Sequence, residues 1–322
     1  MYTIFELQQL IETAIQKVEY PSHPAKLYEP IRYIMDLGGK RIRPVLLLLS
    51  SELFNNDIHI AIEAALAIET FHNFTLIHDD IMDNAPLRRG KDTVHIKWGV
   101  NNAILSGDVM MVEANKHLTR LDSAILKDAL NCFNSTAQGV CEGQQLDMEF
   151  EQRTDVSIPE YINMIRLKTA VLVGGAMKLG AIVARASEED ANLLYDFGVN
   201  FGLAFQLQDD ILDVYGDPLK FGKQVGGDII SNKQTFLLLK LKELATPEDL
   251  IQLQRQSDNT DYAEKIATIT SLYNLYQVRE LAAAEMKRSL DIAYTSLDSV
   301  NIGQERKKEL SDLAASLIDR EH

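Results

Sequence analysis

Residues 60–83, IAIEAALAIETFHNFTLIHDDIMD, carry the pattern that decides the fold. Their apolar side chains recur at spacings of three and four, which is the period of an amphipathic or buried α-helix. The segment ends in a cluster of three carboxylates, Asp79, Asp80 and Asp83, and the chain then turns within a few residues to Arg88 and Arg89. One short stretch therefore places both signs of charge at the end of an apolar helix.

The same helical spacing recurs along most of the chain. It is clear in residues 4–19, 161–186 and 188–216, whereas convincing alternating strands are absent. Glycine and proline separate the helical segments, and no low-complexity linker or shift in composition divides them. We therefore predict an all-α fold, a single large helical bundle that forms one domain over residues 1–322.

Composition limits the classes of function. Net charge is −15 and the sequence pI is about 4.9, which argues against a nucleic-acid partner because phosphate backbones bind basic surfaces. The longest apolar runs, such as VLLLL after Pro44, are too short for a bilayer, and the start has no basic leader, so we expect no integral membrane segment and a cytoplasmic location. Cys132 and Cys141 lack the spacing of a zinc site.

The Asp cluster has a second copy. QDDILD at 208–213 repeats the pattern of HDDIMD at 78–83, and each copy places its first and last Asp four residues apart, on one face of a helix. Like charges at a helix C-terminus destabilise it, because the macrodipole there favours cations. Mg²⁺ relieves such repulsion, taking one or two carboxylates and completing its shell with water and substrate phosphates. The two clusters therefore predict magnesium sites that hold a polyphosphate.

Basic residues flank both clusters in this otherwise acidic chain. They are Lys40, Arg41 and Arg43 within GGKRIRP, Arg88 and Arg89 after the first cluster, and Lys223 and Lys233 after the second. Glycines before a helix start suit anion capture, and guanidinium groups bind phosphate through two parallel hydrogen bonds. The opening stretch then carries both signs because carboxylates hold the metal and arginines hold the phosphates.

Together these motifs resemble the trans-isoprenyl diphosphate synthases of the short-chain type. The motifs GGKRIRP, His72 ahead of DDIMD, LRRG, LysThr at 168–169, FQLQDDILD and GKxxGxD with a following NK stand in the order typical of that family. The resemblance implies the isoprenoid synthase fold with a central apolar cavity, and a homodimer. It also implies a reaction assisted by Mg²⁺, three ions per active site, in which dimethylallyl, geranyl or farnesyl diphosphate ionises and isopentenyl diphosphate attacks before a proton is lost.

The resemblance further implies roles for single residues. The metal ligands are Asp79, Asp83 and Asp209, supported by Asp80, Asp210, Asp213, Gln144 and Asp147. The allylic diphosphate is bound by Arg88, Lys168, Thr169, Gln206, Lys223 and Lys233. Isopentenyl diphosphate is bound without metal by Lys40, Arg43, His72 and Arg89. The residues that act on the reacting carbons are Lys168, Thr169 and Gln206.

Product length depends on the helix before the first Asp cluster. In the family, an aromatic residue five positions before the first Asp goes with short products, and C20 is typical when the next residue is small; these positions hold Phe74 and Thr75. Phe71 lies one further turn down. Ideal helix geometry turns Phe74 well away from the Asp79 face, so a plain core role for both phenylalanines stays open. We favour geranylgeranyl diphosphate as the product, with farnesyl diphosphate as the alternative.

Other classes fit the sequence less well. A class I terpene cyclase shares the ionisation chemistry but needs no second diphosphate site. A non-catalytic partner subunit of a heteromeric synthase is expected to have lost Asp or Lys residues from the motifs, and all are present. A purely structural bundle leaves two matched Asp clusters unexplained.

Overall fold

The computed structural model describes residues 2–217 and 225–318, and α-helices make up most of that length. They are α1 (Ile4–Gln16), α2 (Ala25–Asp36), α3 (Ile42–Glu52), α4 (Ile62–Met82), α5 (Val94–Trp98), α6 (Val100–Leu118), α7 (Ser123–Phe150), α8 (Ile158–Ile165), α9 (Val171–Val183), α10 (Glu188–Tyr215), α11 (Gly227–Ile230), α12 (Phe236–Leu244), α13 (Pro247–Ser257), α14 (Tyr262–Leu275), α15 (Val278–Ser299) and α16 (Gln304–Ile318). The predicted all-α fold class is confirmed.

Within residues 2–217 and 225–318, two helical segments depart from α geometry. A 3₁₀ turn, Ile58–Ala61, leads into α4, and a π-helical segment, Arg166–Ala170, joins α8 directly to α9. The four sequence segments with helical spacing all form helices, but the spacing did not reveal the π segment, because one extra residue in a turn leaves no distinct apolar period.

A short β-hairpin follows α4, although the sequence showed no convincing strand. Leu87–Arg88 pairs antiparallel with Lys91–Asp92 across a turn in which Arg89 and Gly90 both have positive φ, 53° and 74°. Such a turn suits the twist of two paired strands. Two residues per strand are too few for an alternating pattern, so the sequence could not indicate them.

Contacts divide the chain into two compact units. Unit 1 comprises Met1–Ala137, Gly175–Tyr195 and Val300–Leu310, and unit 2 comprises Gln138–Gly174, Asp196–Ser299 and Ser311–His322. Each unit carries one of the two Asp clusters. The single domain expected from the sequence stays a prediction.

Unit 1 is built around α4. Its residues 64–71 are buried on every side, which is the pattern of a helix inside a core. In the described part of the chain, Ile58–Met82 alone is long and apolar enough to cross a membrane, and 61% of its most apolar window is buried within the structure. Small residues allow close packing here: a Cβ on Gly180 of α9 would lie 2.2 Å from the carbonyl oxygen of Leu47 in α3.

Unit 2 contains α8, the π segment and most of α10. A capping box of Ser157 and Glu160 starts α8, since each side chain accepts a backbone N–H of the other residue. On α10, Gly198 and Gly202 let the helix approach the chain closely at Gly174 and Ala170, where an added Cβ would lie 2.7 Å from a Cα atom in each case. The small residues of these helices thus allow tight helix packing.

Candidate active site

The first Asp cluster lies in the last turn of α4. The backbone N–H of Asp83 donates to the carbonyl oxygen of Asp79 at 2.8 Å, so the helix continues through the motif as the sequence predicted. Asp80 is buried, and its carboxylate accepts from Nε of Arg88 at 2.9 Å and from a terminal nitrogen at 2.7 Å. The β-hairpin brings Arg88 back over the helix end. Arg88, predicted as a diphosphate ligand, therefore also neutralises Asp80.

The two outer carboxylates of this cluster are more accessible. Asp79 is half-buried and Asp83 is exposed. Among the residues that the structure describes, no group of three or more His, Cys, Asp or Glu side chains converges as a metal site. Accessible carboxylates on one helix face fit a hard cation that draws its other ligands from water or phosphate, as Mg²⁺ usually does.

The second cluster repeats this arrangement on α10 of unit 2. Asp210 is buried, whereas Asp209 and Asp213 are half-buried. Asp210 accepts a hydrogen bond from the hydroxyl of Tyr161 and another from Nε2 of Gln206 at 3.2 Å. Burial, with the nearby charge of Asp228, raises the pKa of Asp210 to about 7. In both copies the middle Asp is buried and hydrogen-bonded, and the outer two are accessible.

A short segment after α10 is tied to Asp213. The backbone N–H of Asp228 donates to its carboxylate at 3.0 Å, at the start of α11. Lys233 follows α11 and is exposed, and Lys223 lies outside the described residues. The buried Lys265, which the sequence did not single out, donates to the carbonyl oxygens of Ile230 at 3.0 Å and Ser257 at 3.2 Å. It therefore holds the end of α11 in place.

Three of the predicted ligands for isopentenyl diphosphate, namely Arg43, His72 and Arg89, come together in unit 1. A terminal nitrogen of Arg43 lies 3.1 Å from Nε2 of His72. Burial and the positive charges of Arg43 and Arg89 lower the pKa of His72 well below its usual value, so the ring is neutral and accepts the guanidinium N–H. Lys40 is exposed, and its carbonyl oxygen accepts from Gln8 at 2.8 Å.

Arg89 reaches this group through a glycine turn. Its guanidinium donates to the carbonyl oxygen of Gly38. Gly39 has a φ of 138°, and a Cβ there would lie 2.8 Å from the guanidinium. The two glycines of GGKRIRP are therefore needed both for the backbone conformation and for the approach of Arg89.

Arg41 does not act with Lys40 and Arg43, although the sequence grouped the three as an anion site. Its side chain is buried and donates to Glu12 at 2.7 Å, to Glu69 at 2.6 Å and to the carbonyl oxygen of Met35 at 2.6 Å. The left-handed backbone at Arg41, φ 47°, turns it inward. This arginine therefore stabilises unit 1, and its assignment to the anion site was wrong.

The Lys168 and Thr169 pair lies on the π-helical segment of unit 2. Lys168 donates to the carboxylate of Asp147, and the hydroxyl of Thr169 donates to Oε1 of Gln206 at 3.2 Å. Gln144, one turn before Asp147 on α7, is buried. π-helical turns occur often at functional sites, because they shift side chains out of the regular helical position. The three residues predicted to act on the reacting carbons thus form two hydrogen-bonded pairs, Lys168 with Asp147 and Thr169 with Gln206.

The residues proposed to limit product length form an aromatic group in unit 1. Phe71 is 1% exposed, and its ring lies 5.4 Å from that of Phe133 and 5.5 Å from that of Phe74. Phe74 is half-buried and contacts the ring of His78 at 4.7 Å. The hydroxyl of Thr75 donates to the carbonyl oxygen of His72 at 2.7 Å. Phe71 is therefore a core residue, whereas Phe74 lies nearer the surface of the unit.

Fold and motifs together define the class: this is a prenyltransferase with the all-α isoprenoid synthase fold. The polyprenyl synthetase family matches residues 24–275, and the chain belongs to that family. It is 37% identical to the geranylgeranyl diphosphate synthase of Methanosarcina mazei over 88% of each chain, and 40% identical to that of Sulfolobus acidocaldarius over 83% of each. A solved geranylgeranyl pyrophosphate synthase structure aligns over 99% of each chain with a TM-score of 0.95 and 43% identity.

Proposed function

We propose that this protein is a short-chain prenyltransferase that condenses isopentenyl diphosphate with dimethylallyl, geranyl and farnesyl diphosphates and releases the C20 product, geranylgeranyl diphosphate. The observation that carries the proposal is the matched disposition of the two Asp clusters, each with a buried, hydrogen-bonded middle Asp and two accessible outer carboxylates. The similarity to proteins named geranylgeranyl diphosphate synthases supports the chain length.

Asp79, Asp83 and Asp209 are the proposed ligands of Mg²⁺, with three ions per active site. When bound, magnesium supplies positive charge that stabilises the departing diphosphate. The middle residues Asp80 and Asp210 have no such role, because both carboxylates already accept strong hydrogen bonds within the protein. They are supporting residues that fix the ends of α4 and α10.

Two groups of side chains bind the two diphosphate substrates. The allylic diphosphate is held by Arg88, Lys168 and Lys233, together with Lys223, which lies outside the described residues. Isopentenyl diphosphate is held by Lys40, Arg43, His72 and Arg89. The ring of His72 is neutral, so it holds the guanidinium of Arg43 in place without adding a further positive charge.

The reacting carbons need a different environment from the diphosphates. When the allylic C–O bond breaks, its electron pair leaves with the diphosphate and a cation remains, which the oxygen atoms of Thr169 and Gln206 stabilise. The double bond of isopentenyl diphosphate forms the new C–C bond, and the proton lost from the adjacent carbon passes to the released diphosphate. No protein base is required.

A homodimer is the proposed assembly. Helix α6 of unit 1 exposes large apolar side chains at helical spacing, namely Ile104, Leu105 and Val112. An apolar stripe on a long surface helix is well suited to packing against a second copy of itself. A cytoplasmic location is proposed with it.

The product assay tests the proposal. Purified protein is given Mg²⁺, isopentenyl diphosphate and, separately, each of the three allylic primers, and products are resolved by mass. Elongation from all three that stops at C20 is expected. A stop at C15 would replace the proposed product with farnesyl diphosphate. Cyclised hydrocarbon from the primer alone would indicate a terpene cyclase, and folded protein that elongates no primer would indicate a partner subunit.

A further inference from the structure

Four side chains of unit 2 form one continuous chain of hydrogen bonds. The hydroxyl of Tyr161 donates to Oδ2 of Asp210. The other oxygen of that carboxylate, Oδ1, accepts from Nε2 of Gln206 at 3.2 Å, and Oε1 of Gln206 accepts from the hydroxyl of Thr169 at 3.2 Å. Tyr161 and Asp210 are 2% and 4% exposed, so the chain runs from the interior of the unit to two residues that were assigned to the reacting carbons.

The direction of each hydrogen bond follows from the chemistry of the groups. Oδ1 of Asp210 accepts from the NH₂ end of the Gln206 amide, which leaves the amide oxygen to accept from Thr169. Thr169 in turn uses its only O–H proton on that oxygen. The oxygen atoms of Thr169 and Gln206 therefore keep lone pairs that this chain of hydrogen bonds does not use. Such lone pairs can stabilise a cation.

We infer that Tyr161 is a positioning residue for prenyl transfer. Through Asp210, its hydroxyl holds the Gln206 amide in the orientation in which the oxygen atoms of Gln206 and Thr169 face the allylic cation. The inference rests on the proposed function and adds to it a residue that touches neither substrate nor metal.

Packing alone does not account for the hydroxyl. A phenylalanine would fill the same buried space but would leave Oδ2 of the buried Asp210 carboxylate without this hydrogen bond. The ring of Tyr161 belongs to the core, whereas its O–H has Asp210 as its partner. The hydroxyl is thus the part of the side chain that acts on the site.

The test is Tyr161→Phe in the full-length protein, assayed with farnesyl and isopentenyl diphosphates. We expect kcat to fall about tenfold or more, with KM for each substrate within about twofold of wild type, since the lysine and arginine side chains proposed to hold the diphosphates are unchanged. Tyr273→Phe is the matched control, because Tyr273 is also 2% exposed and lies in the same unit but outside the network. Its kcat should stay close to wild type.

A double-mutant cycle separates positioning from a structural role. In a Gln206→Leu background the hydroxyl of Tyr161 has nothing left to orient, so Tyr161→Phe should cause no further loss of kcat. An equal loss in both backgrounds, or wild-type kcat in the single variant, would overturn the inference.

A second variant covers the case in which Tyr161→Phe does not fold. Asp210→Asn keeps shape and removes charge. In this variant the amide oxygen at position 210 accepts from Tyr161, and the NH₂ group at position 210 faces Gln206. The amide of Gln206 must then rotate, which turns the NH₂ group of Gln206 toward Thr169. We expect kcat to fall with an unchanged Mg²⁺ requirement, and unchanged kcat would overturn the inference. Wild-type protein that elongates no primer would instead refute the proposed function.

Discussion

Gly143 and Lys168 are in direct backbone contact. A Cβ on Gly143 of α7 would lie 2.1 Å from the backbone nitrogen of Lys168 and 2.5 Å from its Cα atom. The contact falls within the π-helical segment, one residue before Thr169. The backbone of this segment cannot move aside as a flexible side chain could. The absence of a Cβ at Gly143 therefore determines where Lys168 and Thr169 lie.

Gly143→Ala should therefore damage both stability and turnover. The clash is with backbone, so the two helical segments must separate, and the free energy of unfolding should fall by about 1–3 kcal/mol. We expect kcat to fall as well, because Lys168 and Thr169 move. Denaturant unfolding and steady-state kinetics check the two effects.

Gly139→Ala is the control, one turn earlier on α7. Its added Cβ would meet Val171 at an ordinary distance of 3.4 Å. Alanine is the better helix former by about 1 kcal/mol, so this variant should match or exceed wild-type stability. Equal behaviour of the two variants would mean that the Gly143 contact does not position the site.

Much of the fold was predictable because long apolar helices have a strong local signal. The helices around residues 60–83 and 188–216 follow from their spacing, and the two Asp clusters follow from their repetition. The π segment was not predictable, since one extra residue in a helical turn leaves no distinct apolar period.

The roles of neighbouring charges were the other limit. Arg41 and Arg43 look alike in sequence, yet one is buried against Glu12 and Glu69 and the other contacts His72. A left-handed residue and distant partners decide this difference. Local sequence carries neither.

Asp79→Ala and Asp209→Ala should each lower turnover by about a hundredfold or more. Each removes a proposed magnesium ligand, and a hundredfold corresponds to about 2.7 kcal/mol of lost transition-state stabilisation. Asp128→Ala is the control, since Asp128 is an exposed carboxylate on α7 with no assigned role. Chelation should abolish wild-type turnover, and added Mg²⁺ should restore it. A loss smaller than tenfold in both variants would refute the metal assignment.

Phe74→Ala and Phe71→Ala should have different effects. Phe74 is half-buried, so its truncation should change stability little. Because Phe74 is the proposed limit on chain length, removal of its ring should lengthen the product to C25 or beyond. Phe71 is enclosed between Phe74 and Phe133, and its truncation should lower the free energy of unfolding by about 3–5 kcal/mol. Mass analysis of products and denaturant unfolding separate the two outcomes. A C20 product from the Phe74 variant would show that Phe74 does not limit chain length.

The half-buried, cation-flanked ring of His72 predicts a pH dependence of stability. Its pKa in the folded protein lies well below the ordinary value of about 6.5, first because of burial and then because of Arg43 and Arg89. As pH falls below about 6.5, the unfolded chain binds a proton at His72 that the folded protein does not, so the free energy of unfolding must fall with pH.

His72→Gln removes that proton uptake while keeping an acceptor for Arg43. Between about pH 6.5 and pH 5, the free energy of unfolding of the wild type should fall more steeply than that of the variant, by up to about 1.4 kcal/mol per pH unit at the acid end. Denaturant unfolding at several pH values measures both slopes. His59→Gln, at an exposed histidine, should keep the wild-type slope. Parallel curves for the wild type and His72→Gln would mean that His72 takes up its proton equally well in the folded protein, and would remove the case for a neutral ring beside Arg43.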